Sequence, residues 1–175
     1  MSNLYRAVVF CLALAAATQS AAQQTVLYSV DGWPAMGTRA DGKLDAWYFR
    51  LASDGTGPAP GLPRDAFLDI PVTRNGDPVL QFIRASSTGT ILKSVLIEHP
   101  LATETGGRPA PFAVRMSNVT VVSVDVAVSY GNLGCCVAVR LRPQRVELFS
   151  SAQGPAGKPG PVSRFGYDVK TGKAF

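Results

Sequence analysis

Hydrophobic and polar positions alternate with a period of two in one run of the chain. Val122, Val124, Val126 and Val128 interleave with Ser123, Asp125 and Ala127, a pattern that predicts a strand with one buried face. β-branched and aromatic residues mark further strands at Thr25 to Val30, Ala46 to Leu51, Ala66 to Val72, Ile91 to Glu98 and Phe112 to Met116. Val119 to Val128, Cys135 to Leu141, Arg145 to Phe149 and Arg164 to Val169 complete the set. Pro71 suits the edge or end of its strand, and Pro143 separates two runs. Turn chemistry at Asp31-Gly32 and Gly131 to Gly134 punctuates the strands. Ser53 to Pro63, Pro100 to Pro111 and Ser150 to Pro161 read as loops, being rich in Gly and Pro.

One segment carries a helical period. Asp77 can cap a helix and Pro78 fits its first position. Val79, Phe82 and Ile83 follow at i, i+3 and i+4, with Leu80 widening the apolar stripe, and Thr88-Gly89 stops the run. So short a helix must lie against a sheet. Strands at this spacing with one helix predict a mainly β fold, a barrel or sandwich.

The first 22 residues read differently. Arg6 precedes the uninterrupted apolar stretch Ala7 to Ala17, and small residues follow at Ser20, Ala21 and Ala22. This is the layout of a secretory signal peptide, shorter than the roughly 20 apolar residues of a spanning helix. Cleavage is expected after Ala22, leaving Gln23 to Phe175 as one domain in the periplasm or outside the cell, with no membrane insertion. Cys11 leaves with the peptide. The composition, 46% hydrophobic and 17% charged with 17 Gly and 13 Pro, excludes both a disordered chain and a coiled coil.

The formal net charge is +5, and its excess lies towards the carboxyl end. Arg140, Arg142, Arg145, Lys158, Arg164, Lys170 and Lys173 face only Glu147 and Asp168 there. A solvated basic face is the ordinary reading, because no nucleic-acid motif or aromatic stacking run accompanies these charges. Two cysteines remain, Cys135 and Cys136. Neighbouring Cα atoms about 3.8 Å apart lie closer than the usual disulfide separation. One buried thiol and one outward thiol are expected, and an intermolecular bridge stays open.

Motifs for chemistry are sparse. His99 is the single histidine, no G-x-S-x-G accompanies it, and neither cysteine sits in a nucleophile signature. One His and two adjacent Cys do not make a zinc set, and no calcium loop is present. No catalytic, cofactor-binding or metal residue is therefore assigned, and no enzymatic activity is expected; a secreted hydrolase would have to rely on His99. Gly154 to Val162 holds three G-x-y triplets, too few for a collagen helix. The sequon Asn118-Val119-Thr120 falls within a predicted strand and reads as incidental.

The order of segments resembles the haemolysin-coregulated protein (Hcp) family, the tube proteins of bacterial type VI secretion. Tyr28 to Gly32 (YSVDG) is similar to that family's first strand and turn, and Asp45 to Phe49 (DAWYF) to its tryptophan-bearing second strand. Phe67 to Glu98 runs strand, Asp77-Pro78 helix start, Thr88-Gly89 stop and strand. Arg145 to Phe175 resembles the family's end, with an aromatic strand, a Gly/Lys/Pro loop and a Gly-aromatic-Asp strand. The resemblance implies a small β-barrel of two sheets with one flanking α-helix. It implies a homohexameric ring, stacking through the Ala52 to Pro63 loop, and a secreted tube that carries effectors and meets type VI effector or spike proteins.

The signal segment departs from the family pattern, because such tube proteins assemble in the cytoplasm. Three readings stay open. Translation can start near Val26 at a non-Met codon, whereas a start at Met36 would delete the first strand. The chain can be an exported relative, a free-standing module binding a protein or glycan. Or a true tube protein tolerates the segment.

Overall fold

The computed structural model describes residues 26–33, 41–53, 62–72, 77–99, 112–127, 136–153 and 159–175. The expected signal segment and its expected cleavage point lie outside them. So do the expected turn at Gly131 to Gly134, the whole of the Pro100 to Pro111 loop, and Cys135.

In chain order the elements are β1 (Val26–Val30), β2 (Leu44–Ala46), β3 (Tyr48–Ala52), β4 (Asp65–Pro71), α1 (Asp77–Thr88), β5 (Ile91–His99), β6 (Phe112–Ala127), β7 (Cys136–Arg142), β8 (Arg145–Gln153) and β9 (Pro159–Asp168). The described strands form one nine-stranded antiparallel sheet ordered β2-β1-β5-β6-β7-β4-β3, with β8 paired to β6 and β9 to β8. The mainly β fold with one helix is as expected. The closed barrel of two sheets is not: this is a single sheet, and it does not close. Its end strands β2 and β3 are joined through Trp47 alone. Consecutive pieces of one strand cannot pair with each other, so the ladder is interrupted there. The Trp47 N–H instead donates to the Asp69 carbonyl at 2.8 Å.

The 16-residue β6 organises the sheet, merging two runs that the sequence separates. One edge pairs with β5; the other pairs first with β8 and then with β7. Ser117↔Arg145 and Thr120↔Arg142 keep one register across Pro143, so β7 and β8 track β6 as one interrupted strand.

A crease crosses the sheet at that level. Asn118 has φ 51° and is skipped by the ladders on both sides. Buried positions change phase there: Val114 and Met116 before it, Val119 and Val121 after it. On β5 the phase changes between Leu92 and Val95, and on the β7–β8 path between Leu141 and Val146. A left-handed residue and a proline on neighbouring strands bend the sheet as a bulge does. Both halves then turn their apolar faces to one core, which draws on β1, β2, α1 and β4 to β9.

The crease also corrects the expected valine face. Val122 and Val126 are exposed and Val124 packs against the core. A second irregularity between Val121 and Ser123 resets the phase once more. Strands β8 and β9 extend into the expected Ser150 to Pro161 loop, pairing Ser151 with Val162 and Gln153 with Pro159.

The helix spans the residues that its caps predict. Gly89, at φ 66°, lets the Thr90 N–H reach the Ala85 carbonyl at 3.0 Å while its own N–H reaches Ser86 at 3.4 Å, a Schellman stop. Its buried face is Val79, Phe82 and Ala85; Leu80 and Ile83, expected in the stripe, are exposed. The Phe82 ring lies 4.8 Å from Trp33 and 6.2 Å from Tyr28 between centroids, fastening α1 over β1.

Candidate assembly surfaces

The Ala52 to Pro63 loop is rooted by three strands, although residues 54–61 lie outside the described set. Ala52 pairs with Asp65, and the Arg64 N–H donates to the Ala52 carbonyl at 2.9 Å. The buried Tyr167 of β9 donates its hydroxyl to the Pro63 carbonyl at 2.9 Å. Burial pushes the Tyr167 phenol up to about 12.

Asp65 anchors the other side. Its carboxylate, 5% exposed, accepts from Arg142 Nε at 2.8 Å and Arg140 Nε at 3.1 Å, with both Nη2 groups adding bonds. Burial raises its pKa, but the hydrogen bonds and charges of Arg142 and Arg140 outweigh burial and hold it below the usual value. One carboxylate thus holds two guanidinium groups side by side on β7.

Register then builds an outer wall on β3, β4 and β7. Arg50, Phe67 and Arg140 stand in one row, with the two guanidinium carbons 4.7 and 5.7 Å from the Phe67 ring centre. Cations on the faces of an aromatic ring are mutually favourable contacts. Trp47 and Tyr48 are half-exposed beside this row.

A second wall repeats the device on β6, β8 and β9. Arg115 and Arg164 both pair with Glu147 and both approach the Phe149 ring, at 5.4 and 5.7 Å. The basic carboxyl end is therefore largely a set of cross-strand pairs, Arg145 with Asp168 among them at 3.8 Å. Lys170 and Lys173 are exposed, and Lys158 lies outside the described residues.

His99 ends β5 opposite Phe112. Cys136 pairs through its backbone with Pro71 and Ala127. Among the described residues no group of three His, Cys, Asp or Glu could hold a metal, and no helix is long and apolar enough to cross a membrane. No role follows from the sequence for Asp65, and Tyr167 figures there only as the aromatic of the Gly-aromatic-Asp strand. The only local signals were an acid at the head of an apolar strand and an aromatic beside Asp168.

No protein-family model matches the sequence, and no curated protein matches it. Solved structures do. The chain is similar to Hcp1 from Salmonella typhimurium at TM-score 0.65 and 15% identity, over 86% of this chain and 98% of that one. A type six secretion system protein aligns at 0.65 and 13%, over 86% and 99%. A type VI secretion system effector from Yersinia pestis aligns at 0.62 and 13%, over 82% and 98%. A creased antiparallel sheet with one flanking helix, matched along nearly the whole of each neighbour, gives this chain the fold of the Hcp proteins of type VI secretion systems.

Proposed function

We propose that this chain is a ring-forming, tube-like structural protein of type VI secretion that is secreted and carries effectors. The observation that carries the reading is the fold shared over 98% of the Salmonella typhimurium Hcp1 chain, so this chain has a counterpart for almost every element of that protein. In this reading six copies close into a ring by heterologous contacts, which do so when the rotation permits. The Arg50–Phe67–Arg140 and Arg115–Phe149–Arg164 walls are the natural contact faces, and the loop rooted by Asp65 and Tyr167 meets the next ring. Its partners are then copies of itself and type VI effector or spike proteins. No catalytic residue is assigned.

The amino-terminal segment supports a second reading. Cleaved after Ala22, the single domain Gln23 to Phe175 acts in the periplasm or outside the cell as a free-standing module that binds a protein or glycan. Negative-stain electron microscopy of Gln23 to Phe175 separates the two. Six-fold rings with an open lumen support the tube protein; single particles at every protein concentration favour the exported module.

A further inference from the structure

Among the described strands β9 pairs with β8 alone, on one edge. Near its end the chain's own tail occupies the other edge: Ala174 bridges Tyr167, the Phe175 N–H donates to the Gly166 carbonyl at 2.9 Å, and the Asp168 N–H donates to Lys173 at 2.9 Å. Backbone groups alternate between the two edges of a strand. Gly166 and Asp168 therefore fix the phase, and the N–H and C=O of Arg164 and Val162 also point outward. Among the described residues no strand meets them. Pro161 stands in the opposite phase, so its missing N–H does not blunt this edge.

A cleft of about 160 Å³ lies beside that edge. Phe112, Leu148, Ser150, Ser163 and Phe165 line it in the same phase as the buried Val114, Val146 and Tyr167, and Phe149 and Arg164, of the other phase, complete the lining. It is thus the core face continued past the core, with Phe112 and Phe165 both more than 40% exposed. On the opposite face Arg115 and Arg164 share the single carboxylate of Glu147, leaving positive charge in excess.

We propose that this edge takes an extended peptide strand of alternating apolar and acidic side chains. Its backbone continues, along β9, the pairing that Ala174 and Phe175 begin. Its apolar side chains enter the cleft against Phe165, and its acidic ones meet Arg164. An open edge offers a row of backbone donors and acceptors whose spacing an extended backbone matches, which selects a strand over a compact ligand. The tail already held on this edge shows that the edge accepts one. Arg164 also belongs to the second wall, so a ring contact that buries that wall excludes the peptide.

The probe is a fluorescent, end-blocked octapeptide alternating Glu and Leu, titrated by anisotropy against Gln23 to Phe175, which contains every residue of the core. A twin peptide N-methylated at alternate residues keeps the side chains and loses the strand donors. Saturable binding is expected, weakened by salt and lost in the twin. Val162→Pro removes one outward N–H at an exposed position and should weaken binding by at least about tenfold. Phe165→Ser, which empties the cleft without touching the edge, should do the same. Absence of binding overturns the proposal, as does equal binding of the twin or of Val162→Pro. If the peptide fails because a second copy already pairs with this edge, read as a larger mass in light scattering, the occupant is that copy and the proposal falls.

Discussion

At Asp65 the burial of a carboxylate is outweighed by two arginines, and the balance sets a pH dependence. Its folded pKa lies below the usual carboxylate value, so the group contributes stability above about pH 4. That contribution is lost as pH falls through the depressed folded value. Asp65→Asn should cost about 1–3 kcal/mol at neutral pH. The figure is set below that of a fully buried pair because Arg140 and Arg142 remain 39% and 49% exposed. Urea unfolding of both proteins from about pH 2 to about pH 7, a window that spans the ordinary carboxylate range, checks this. Parallel curves would show that Asp65 contributes nothing specific. Tyr167 works in the opposite direction. Its folded pKa is raised to about 12, so its contribution is complete below about pH 10 and lost as pH rises through the folded value. Tyr167→Phe should shallow that alkaline loss and cost about 0.5–1.5 kcal/mol through the bond to Pro63. Hydrogen exchange at the loop root should rise in this variant. Neither residue was legible beforehand, because each acquires its role from strands far away in sequence.

The helix shows what local chemistry specifies and what it leaves open. Asp77, Pro78 and Gly89 define its ends through their own backbone preferences, and the structure places the ends there. Its buried face depends on where β1 lies, so the apolar Leu80 and Ile83 could not be told from core residues by period alone. Phe82→Ala should cost about 3–5 kcal/mol, while Leu80→Ser, at a 62% exposed position, should change stability by less than about 0.5 kcal/mol. Thermal unfolding of the two variants checks the assignment, and similar losses would contradict it. The crease makes the same point for strands. Alternation over Val122 to Val128 is real in the sequence, but the phase changes at Asn118 and again after Val121 reassign its faces. Asn118→Val forces a β-branched side chain into the left-handed region and should cost about 1–2 kcal/mol. Loss of cooperativity without loss of strand content in circular dichroism would place the damage at the crease. An unchanged melting curve would show that the bend does not need this conformation.

At the scale of the molecule, the order of elements was the legible part. Strand, Asp-Gly turn, aromatic strand, capped helix and terminal hairpin follow one another as expected, because each is encoded by turn and cap residues close at hand. Closure was not legible. That β2 and β3 are pieces of one strand interrupted at Trp47 is something no periodicity reveals. The two outer walls, each an aromatic ring between two arginines, were visible only as an excess of basic residues until register set the partners in rows. In the proposed ring these walls and the rooted loop are the contact surfaces. Light scattering of purified Gln23 to Phe175 at several concentrations reads ring formation directly. A closed ring of six copies gives a mass six times that of one chain, persisting on dilution, and this is the expected result. The mass of a single chain at every concentration would contradict it.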